Sequence, residues 1–132
     1  KGSNAPDNPE SMFSGEKDSK KNRDMFYNKR AQYYTLLSER FRKTYLAVEK
    51  KQYIDPDELI SIDSNNELLG KLRAELCGIP RVPNGVGKVQ LMRKADMKKK
   101  LNRDSPNMAD CLAMAMEIPQ VTETVDINFE GW

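Results

Sequence analysis

The chain has 132 residues, of which 38% are hydrophobic and 32% are charged, and its formal net charge is +2. This length fits one domain or part of one, and the low apolar content allows only a modest core. No apolar run is long enough to span a membrane and no signal peptide is visible, so we expect a soluble cytoplasmic protein without membrane contact. The two cysteines, Cys77 and Cys111, match no metal motif, and we expect both to be buried on helices as small hydrophobic residues.

The charge is unevenly distributed along the chain. Residues 88–103 carry seven basic residues and one acid, whereas residues 117–132 carry four acids and no base. A basic block beside an acidic tail suggests contact with a polyanion and a tail that competes for the same surface. Residues 120–132 form this acidic tail, which is either a short strand or a loose end, and its terminal Trp132 would suit docking on another protein.

The first third of the chain predicts a loop followed by a long helix. Residues 1–21 are rich in Gly, Ser, Asn and Pro and bury little, so we expect a flexible loop. Residues 22–44 place apolar side chains on one side at helical spacing, namely Phe26, Tyr33, Leu37 and Phe41. The tyrosines beside basic residues either stack on nucleic acid or pack at the edge of the core. Residues 46–53 alternate weakly and predict a short strand.

Two capping signals divide the middle of the chain. Asp55 followed by Pro56 predicts the start of one helix. The capping box at residues 64–67 predicts the start of another, which carries a leucine stripe and ends at Gly78. The acidic residues beside Pro56 lack the glycine and the later glutamate of a calcium loop, so capping is the better explanation for them.

A turn and a basic segment come next. Residues 79–83 and 88–92 flank the run Asn-Gly-Val-Gly, which predicts a β-hairpin. The run Gly-Val-Gly-Lys at this place lacks the spacing and the following Ser or Thr of an ATPase phosphate loop. Residues 94–101 then predict a short basic helix. Its lysines form either a solvated face or a surface that binds phosphates.

The segment 105–116 holds the candidate site. Ser105 predicts the N-cap of a helix and Pro106 its first residue, with apolar residues recurring behind them. Asp110 lies in the first turn among small and apolar residues. A carboxylate at this place either complements the helix dipole or binds a metal on the wall of a cleft.

Three blocks of sequence carry a resemblance to a known family. The run Ser-Pro-Asn-Met-Ala-Asp-Cys-Leu at residues 105–112 is similar to the closing motif, typically Ser-Pro-Asp-x-Ala-Asp-Ala-Leu, of the nuclease domain in the large terminase subunit of tailed bacteriophages. Residues 89–101 resemble the strand and basic helix before that motif, and residues 26–34 resemble the Asn-Lys-Arg-Ala-Glu helix of the same domain. The likeness runs from about residue 24 to residue 116. Asn107 replaces the usual first acid of the closing motif, and Cys111 replaces a small residue.

The resemblance implies an α/β, ribonuclease-H-like fold with a central mixed sheet and helices on its faces. The other acids of the family lie upstream of the matched blocks. We therefore expect residues 22–119 to be the C-terminal portion of an incomplete nuclease domain, made of helices and a β-hairpin. One carboxylate cannot hold two metal ions, so we expect this chain alone to be inactive or nearly so.

The same resemblance implies a metal-dependent endonuclease of the DNA-packaging motor, which cuts concatemeric double-stranded DNA into genome lengths in the host cytoplasm. Asp110 matches the last catalytic acid and metal ligand, and Lys94 matches a lysine that steadies the phosphate or orients a carboxylate. Of two Mg²⁺ or Mn²⁺ ions, one would activate water and the other would stabilise the leaving oxygen. Further basic residues would hold the DNA backbone: Lys88, Arg93, Lys98, Lys99, Lys100 and Arg103.

Two other functions also fit the sequence. In the first, the chain is a non-catalytic basic DNA-binding module, in which Asp110 is only a capping charge. In the second, it is a protein-interaction piece whose acidic tail binds the portal protein. The small terminase subunit is a further expected partner.

Overall fold

The computed structural model describes residues 4–13 and 18–117. In this part, the chain forms α1 (Asn22–Met25), α2 (Lys29–Glu49), a 3-10 helix (Pro56–Glu58), α3 (Leu69–Cys77), α4 (Lys94–Leu101) and α5 (Asn107–Met114). None of these helices is long and apolar enough to cross a membrane. The predicted acidic tail, residues 120–132, lies outside the described residues.

A break separates α1 from α2, so the prediction of one continuous helix over residues 22–44 is wrong. Phe26 is extended and forms a parallel bridge with Val89. The Tyr27 amide then donates to the Val89 carbonyl at 2.9 Å. The side chain of Asn28 caps the new helix by accepting from the Ala31 amide at 2.9 Å. Helical spacing along the chain could not reveal this pairing, because its partner lies more than sixty residues downstream.

The C-terminal end of α2 extends further than predicted. The helix continues to Glu49, and the Lys50 amide donates to the Leu46 carbonyl at 3.2 Å, so the predicted strand at residues 46–53 is wrong. Leucine, alanine and glutamate are good helix formers, and here this preference outweighs the weak alternation. Downstream, Asp55 caps the 3-10 helix by accepting from the Asp57 amide at 3.0 Å.

Helix α3 ends at Gly78 as predicted. Its N-cap is Leu68, whose amide donates to Asn66 Oδ1 at 2.8 Å, so the predicted capping box at residues 64–67 is wrong. Both cysteines are free and exposed, which contradicts the expectation that they are buried. Leu76 and Leu112 pack against the core, and each has a cysteine as its neighbour in sequence. Adjacent positions on a helix point about 100° apart, so the cysteines face away from the core.

Residues 79–92 double back through one antiparallel bridge between Arg81 and Leu91. The Val82 amide donates to the Gln90 carbonyl at 2.9 Å. The side chain of Asn84 holds the turn by donating to the Lys88 carbonyl at 2.8 Å and accepting from the Lys88 amide at 3.0 Å. The described residues contain isolated bridges but no strand, so the predicted β-hairpin and sheet are not confirmed.

The core lies where α2 and α5 meet. Tyr33, Leu37 and Ala113 are at most 3% exposed and form its centre. Helix α5 begins at Asn107 with Pro106 as its N-cap, so the prediction that Ser105 caps this helix is wrong. Instead, Glu75 of α3 accepts a hydrogen bond from the Ala109 amide at 3.3 Å. Helix α3 thereby helps to hold the first turn of α5, which contains Asp110.

Candidate active site

Asp110 projects from the first turn of α5 towards α2 and α4, and its side chain is only 15% exposed. The hydroxyl of Tyr34 donates to Asp110 Oδ1 at 2.6 Å. The Nζ of Lys94 lies 2.5 Å from Oδ2, and the Nε of Arg30 lies 3.5 Å from Oδ1. One carboxylate is therefore held by a phenol and two cations.

Arg30 joins three parts of the chain at this point. Its Nη1 donates to the Met92 carbonyl at 2.8 Å, and its guanidinium lies over the ring of Tyr34 at 5.4 Å from the centroid. Its Nε and Nη2 are buried without a hydrogen-bond partner among the described residues, as is Asp110 Oδ2. Lys94 Nζ and Asp110 Oδ2 form a short ion pair.

Burial alone would raise the pKa of Asp110, because a carboxylate loses hydration inside a protein. Contacts with Lys94, Tyr34 and Arg30 outweigh this penalty and lower the pKa of Asp110 below its usual 3.8. Burial and the bond to Asp110 raise the pKa of Tyr34 well above its ordinary value. At neutral pH the carboxylate is therefore ionised and the phenol remains a hydrogen-bond donor.

We predict that Asp110→Asn lowers the free energy of unfolding at pH 7 by about 1–3 kcal/mol, because two cations lose the charge that they face. The carboxylate's contribution is present above its unfolded pKa near 3.8 and is lost as the pH falls through the lower folded value. The difference between the variant and the wild type should therefore shrink below about pH 4. Urea unfolding at about pH 7 and pH 3 measures both effects.

The matched control is Asp104→Asn, which removes the same charge from a side chain that is 95% exposed and pairs with Lys98 at 3.2 Å. Exposed pairs contribute little, so its effect on unfolding should stay within about 1 kcal/mol. An Asp110→Asn variant that is more stable than the wild type at pH 7 would contradict the assignment of net stabilisation to this cluster.

A cavity of about 370 Å³ lies beside this cluster. Its walls come from the N-terminal loop, α2, α4 and α5, and they include Asn4, Lys29, Arg30, Tyr34, Lys94 and Asp110. A larger groove of about 670 Å³ lies between α2 and α3, and Tyr34 lines that groove as well. The larger groove is mostly apolar and no acid among the described residues lines it, whereas Asp110 and three basic residues line the smaller cavity. The chemistry therefore points to the smaller cavity.

A second carboxylate, that of Asp7, is held by the same pattern of residues on α2. Asp7 accepts a short hydrogen bond from the Tyr33 hydroxyl, and its Oδ1 lies 3.1 Å from the Nζ of Lys29. Burial would raise the pKa of Asp7, but these two partners lower it. Lys29 and Tyr33, like Arg30 and Tyr34, are four residues apart on α2. Each of these pairs, one basic residue and one tyrosine, contacts one aspartate.

The other predicted DNA-binding residues do not line this cavity. Two of them form ion pairs with acidic residues: Arg93 pairs with Asp96 and Lys98 pairs with Asp104, each at 3.2 Å. The remaining four are Lys88, which is half-buried, Lys99 and Lys100, which are exposed, and Arg103, which donates to the Gly78 carbonyl at 2.5 Å. The structure thus brings Lys94 and Asp110 together and leaves the other basic residues on the surrounding surface.

The described residues do not form a complete metal site. Asp110 offers carboxylate oxygens, the ligand type that Mg²⁺ and Mn²⁺ prefer. However, residues 4–13 and 18–117 contain no group of three or more acidic, histidine or cysteine side chains that could hold a metal ion. Lys94 also occupies one face of the carboxylate. A divalent ion at Asp110 would need further ligands from outside this part of the chain.

Sequence reasoning missed Arg30 and Tyr34 in the Asp110 cluster, and Asp7 in the contacts with Lys29 and Tyr33. Arg30 and Tyr34 lie within the block that resembles the family's helix, and their spacing of four residues is the signal that could have paired them. Asp7 lies in a stretch rich in turn residues, where no periodicity predicts that a carboxylate reaches a helix. Its position follows only from the tertiary structure.

No protein-family model and no curated protein matches the chain. Among solved structures, the nuclease domain of the large terminase subunit gp2 of bacterial virus Sf6 matches with a TM-score of 0.80 at 41% identity, covering 89% of this chain and 51% of that chain. A lysine-to-alanine variant of that domain with manganese and beta-thujaplicinol matches with a TM-score of 0.79 at 41% identity, covering 90% and 52%. A variant with calcium gives 0.78 at 40% identity, covering 89% and 51%.

The chain thus spans about half the length of the solved chains that it matches. The match extends over nine-tenths of this chain, at an identity well above the level at which only a fold is shared. The resemblance found in the sequence blocks is confirmed. Sequence and structure together identify this chain as a relative of the nuclease domain of a bacteriophage large terminase subunit, corresponding to about half of that domain.

Proposed function

We propose that the chain is the C-terminal part of a metal-dependent endonuclease that cuts concatemeric double-stranded DNA into genome lengths during phage packaging. The parent protein would have a ribonuclease-H-like fold and would act in the host cytoplasm. The observation that carries the proposal is the buried Asp110 carboxylate, held by Tyr34, Arg30 and Lys94 beside a cavity. A salt bridge that serves stability alone does not require an adjoining cavity lined by cations.

We propose that Asp110 supplies one oxygen to a site for two Mg²⁺ or Mn²⁺ ions. Solved structures of the Sf6 domain contain manganese or calcium, which supports a divalent ion in this relative as well. The remaining acids would come from the half of the domain that this chain does not span. When bound, the ions would polarise the phosphodiester and activate water. Lys94 would hold the Asp110 carboxylate in position and present a positive charge to the phosphate.

The exposed basic residues would supply affinity for DNA without reading its sequence. Lys99 and Lys100 face solvent on α4, the helix that also carries Lys94. Contacts between lysines and phosphates weaken as salt rises, because they depend on the release of counterions. We expect this surface to bind double-stranded DNA, and we keep the portal protein and the small terminase subunit as predicted partners.

The test is cleavage of supercoiled plasmid with Mn²⁺ by this chain and by the full-length parent, each compared with the same reaction in excess chelator. We expect metal-dependent cutting by the parent and none by this chain, since one carboxylate cannot hold two ions. Cutting by this chain would refute the incomplete-site argument. If the parent fails to cut with Mn²⁺ but binds DNA in a salt-dependent way, the non-catalytic DNA-binding module replaces the nuclease.

A further inference from the structure

The cavity beside Asp110 has three cations in its lining, and each of them has an acidic partner. Arg30 and Lys94 face Asp110, whereas Lys29 faces Asp7. Lys29 is 39% exposed, so its ammonium reaches solvent at the rim of the cavity, while the Asp7 side chain is 14% exposed. A small movement of Asp7 would therefore leave an accessible positive charge beside the candidate active site.

The backbone of Asp7 is fixed by residues that are themselves buried. The Asp7 amide donates to Gln32 Oε1 at 2.7 Å, and its carbonyl accepts from Gln32 Nε2 at 3.0 Å. Asn22 Nδ2 donates to the Asp7 carbonyl at 3.3 Å and to the Asn8 carbonyl at 2.9 Å. Gln32 and Asn22 are 4% and 6% exposed. The loop is therefore anchored through its main chain, in addition to the hydrogen bond that the Asp7 carboxylate accepts from the Tyr33 hydroxyl.

The main-chain bonds and the hydrogen bond from Tyr33 do not involve Lys29, so the ion pair between Lys29 and Asp7 calls for a separate explanation. A carboxylate and a phosphodiester present similar anionic oxygens to an ammonium group. A phosphate that enters the cavity near Asp110 would approach Lys29 as well, because both residues line the same walls. We infer that Lys29 is a DNA phosphate-binding residue of this site, and that Asp7 occupies its ammonium group until DNA displaces the carboxylate. This inference rests on the function proposed above.

The test uses the 132-residue chain and a short DNA duplex in chelator, so that cleavage plays no part, with binding followed by fluorescence anisotropy over a range of salt. Asp7→Asn removes the charge and keeps the backbone bonds to Gln32. We expect this variant to bind DNA several-fold more tightly at low salt, with a log-affinity slope against log-salt steeper by about 0.9, as for one additional phosphate contact. Adding Lys29→Gln to Asp7→Asn should abolish the gain.

Asp18→Asn is the matched control, because it removes the same charge from an exposed acid in the same part of the chain. An equal gain in this control would overturn the inference, since the effect would then come from net charge. If Asp7→Asn binds like the wild type, Lys29 is not a masked contact and the proposed function still stands. If no form binds DNA, the DNA-binding part of the proposed function fails together with the inference.

A second measurement does not depend on the folding of any variant. In the wild type, saturating DNA should protect Lys29 from an amine-acetylating reagent, as read by mass spectrometry. Lys71, an exposed lysine of α3 outside this cavity, provides the internal comparison. Acetylation of Lys29 that is unchanged by DNA, while the DNA is bound, would overturn the inference.

Discussion

In the full-length parent, Asp110→Asn is expected to lower plasmid cleavage with Mn²⁺ by at least about 100-fold. Changing a residue that only supports a metal ligand costs up to about 100-fold, and losing a ligand itself should cost at least as much. The neutral amide cannot supply an anionic oxygen, and it removes the negative charge with which both Arg30 and Lys94 pair. DNA affinity should stay the same or rise slightly, because removing a negative charge does not weaken contacts with phosphates. Cleavage and anisotropy measured on the same preparation separate the two effects.

Asp63→Asn is the control for this experiment, because Asp63 is exposed and its carboxylate accepts a local bond from the Asn65 amide at 2.9 Å. It should cleave like the wild type. If Asp110→Asn cuts as fast as this control in a parent that is active, Asp110 is not a metal ligand. The cluster around Asp110 would then have a structural role only.

Phe26→Ala is expected to lower the free energy of unfolding by about 3–5 kcal/mol, because Phe26 is completely buried and its removal leaves a cavity. The Phe26 ring packs edge-on against Phe13, with centroids 5.2 Å apart at 73°. Its backbone forms the bridge to Val89, three residues before Met92, whose carbonyl binds Arg30. Weaker packing around the bridge between Phe26 and Val89 should therefore also disturb the position of Lys94. Urea unfolding measures the stability change.

Tyr53→Ala provides the comparison for that prediction, because its side chain is an aromatic ring that is 89% exposed. A change on the surface should alter unfolding by no more than about 0.5 kcal/mol. Phe26→Leu keeps most of the buried volume and should fall between the two. A loss below about 1 kcal/mol for Phe26→Ala would show that the buried Phe26 ring does not contribute to the core as its burial indicates.

The pairing of Lys94 with Asp110 is the part of the site that the sequence could best anticipate. Both residues lie in blocks that resemble the terminase family, and each block has a pattern that places it on a helix. Two of the departures from prediction have a common physical origin. Phe26 leaves the helix because of a partner more than sixty residues away, and Ser105 is not a cap because Glu75 on another helix takes part of that role. Local spacing does not contain such partners.

Asp7 shows the limit of the same reasoning more clearly. Turn-forming residues predict an irregular backbone at the N-terminal loop, but they do not predict which surface that backbone touches. The signal lies in Gln32 and Asn22, two polar residues on helical segments that have to find hydrogen bonds once they are buried. A polar residue on the apolar side of a helix is therefore a useful sign that a loop packs there.

The long separation between the partners of Asp110 has a consequence for how the site forms as the chain folds. Tyr34 and Asp110 are 76 residues apart, and Arg30 and Met92 are 62 apart. Closing such large loops lowers the conformational entropy of the chain. This cost arises before the contacts contribute any stability. Helix α5 has only eight residues and is too short to be stable by itself. The cluster should therefore assemble late in folding. Proteolytic cleavage in the exposed segment between α2 and α3 should separate the residues of the cluster, even though every one of them is still present.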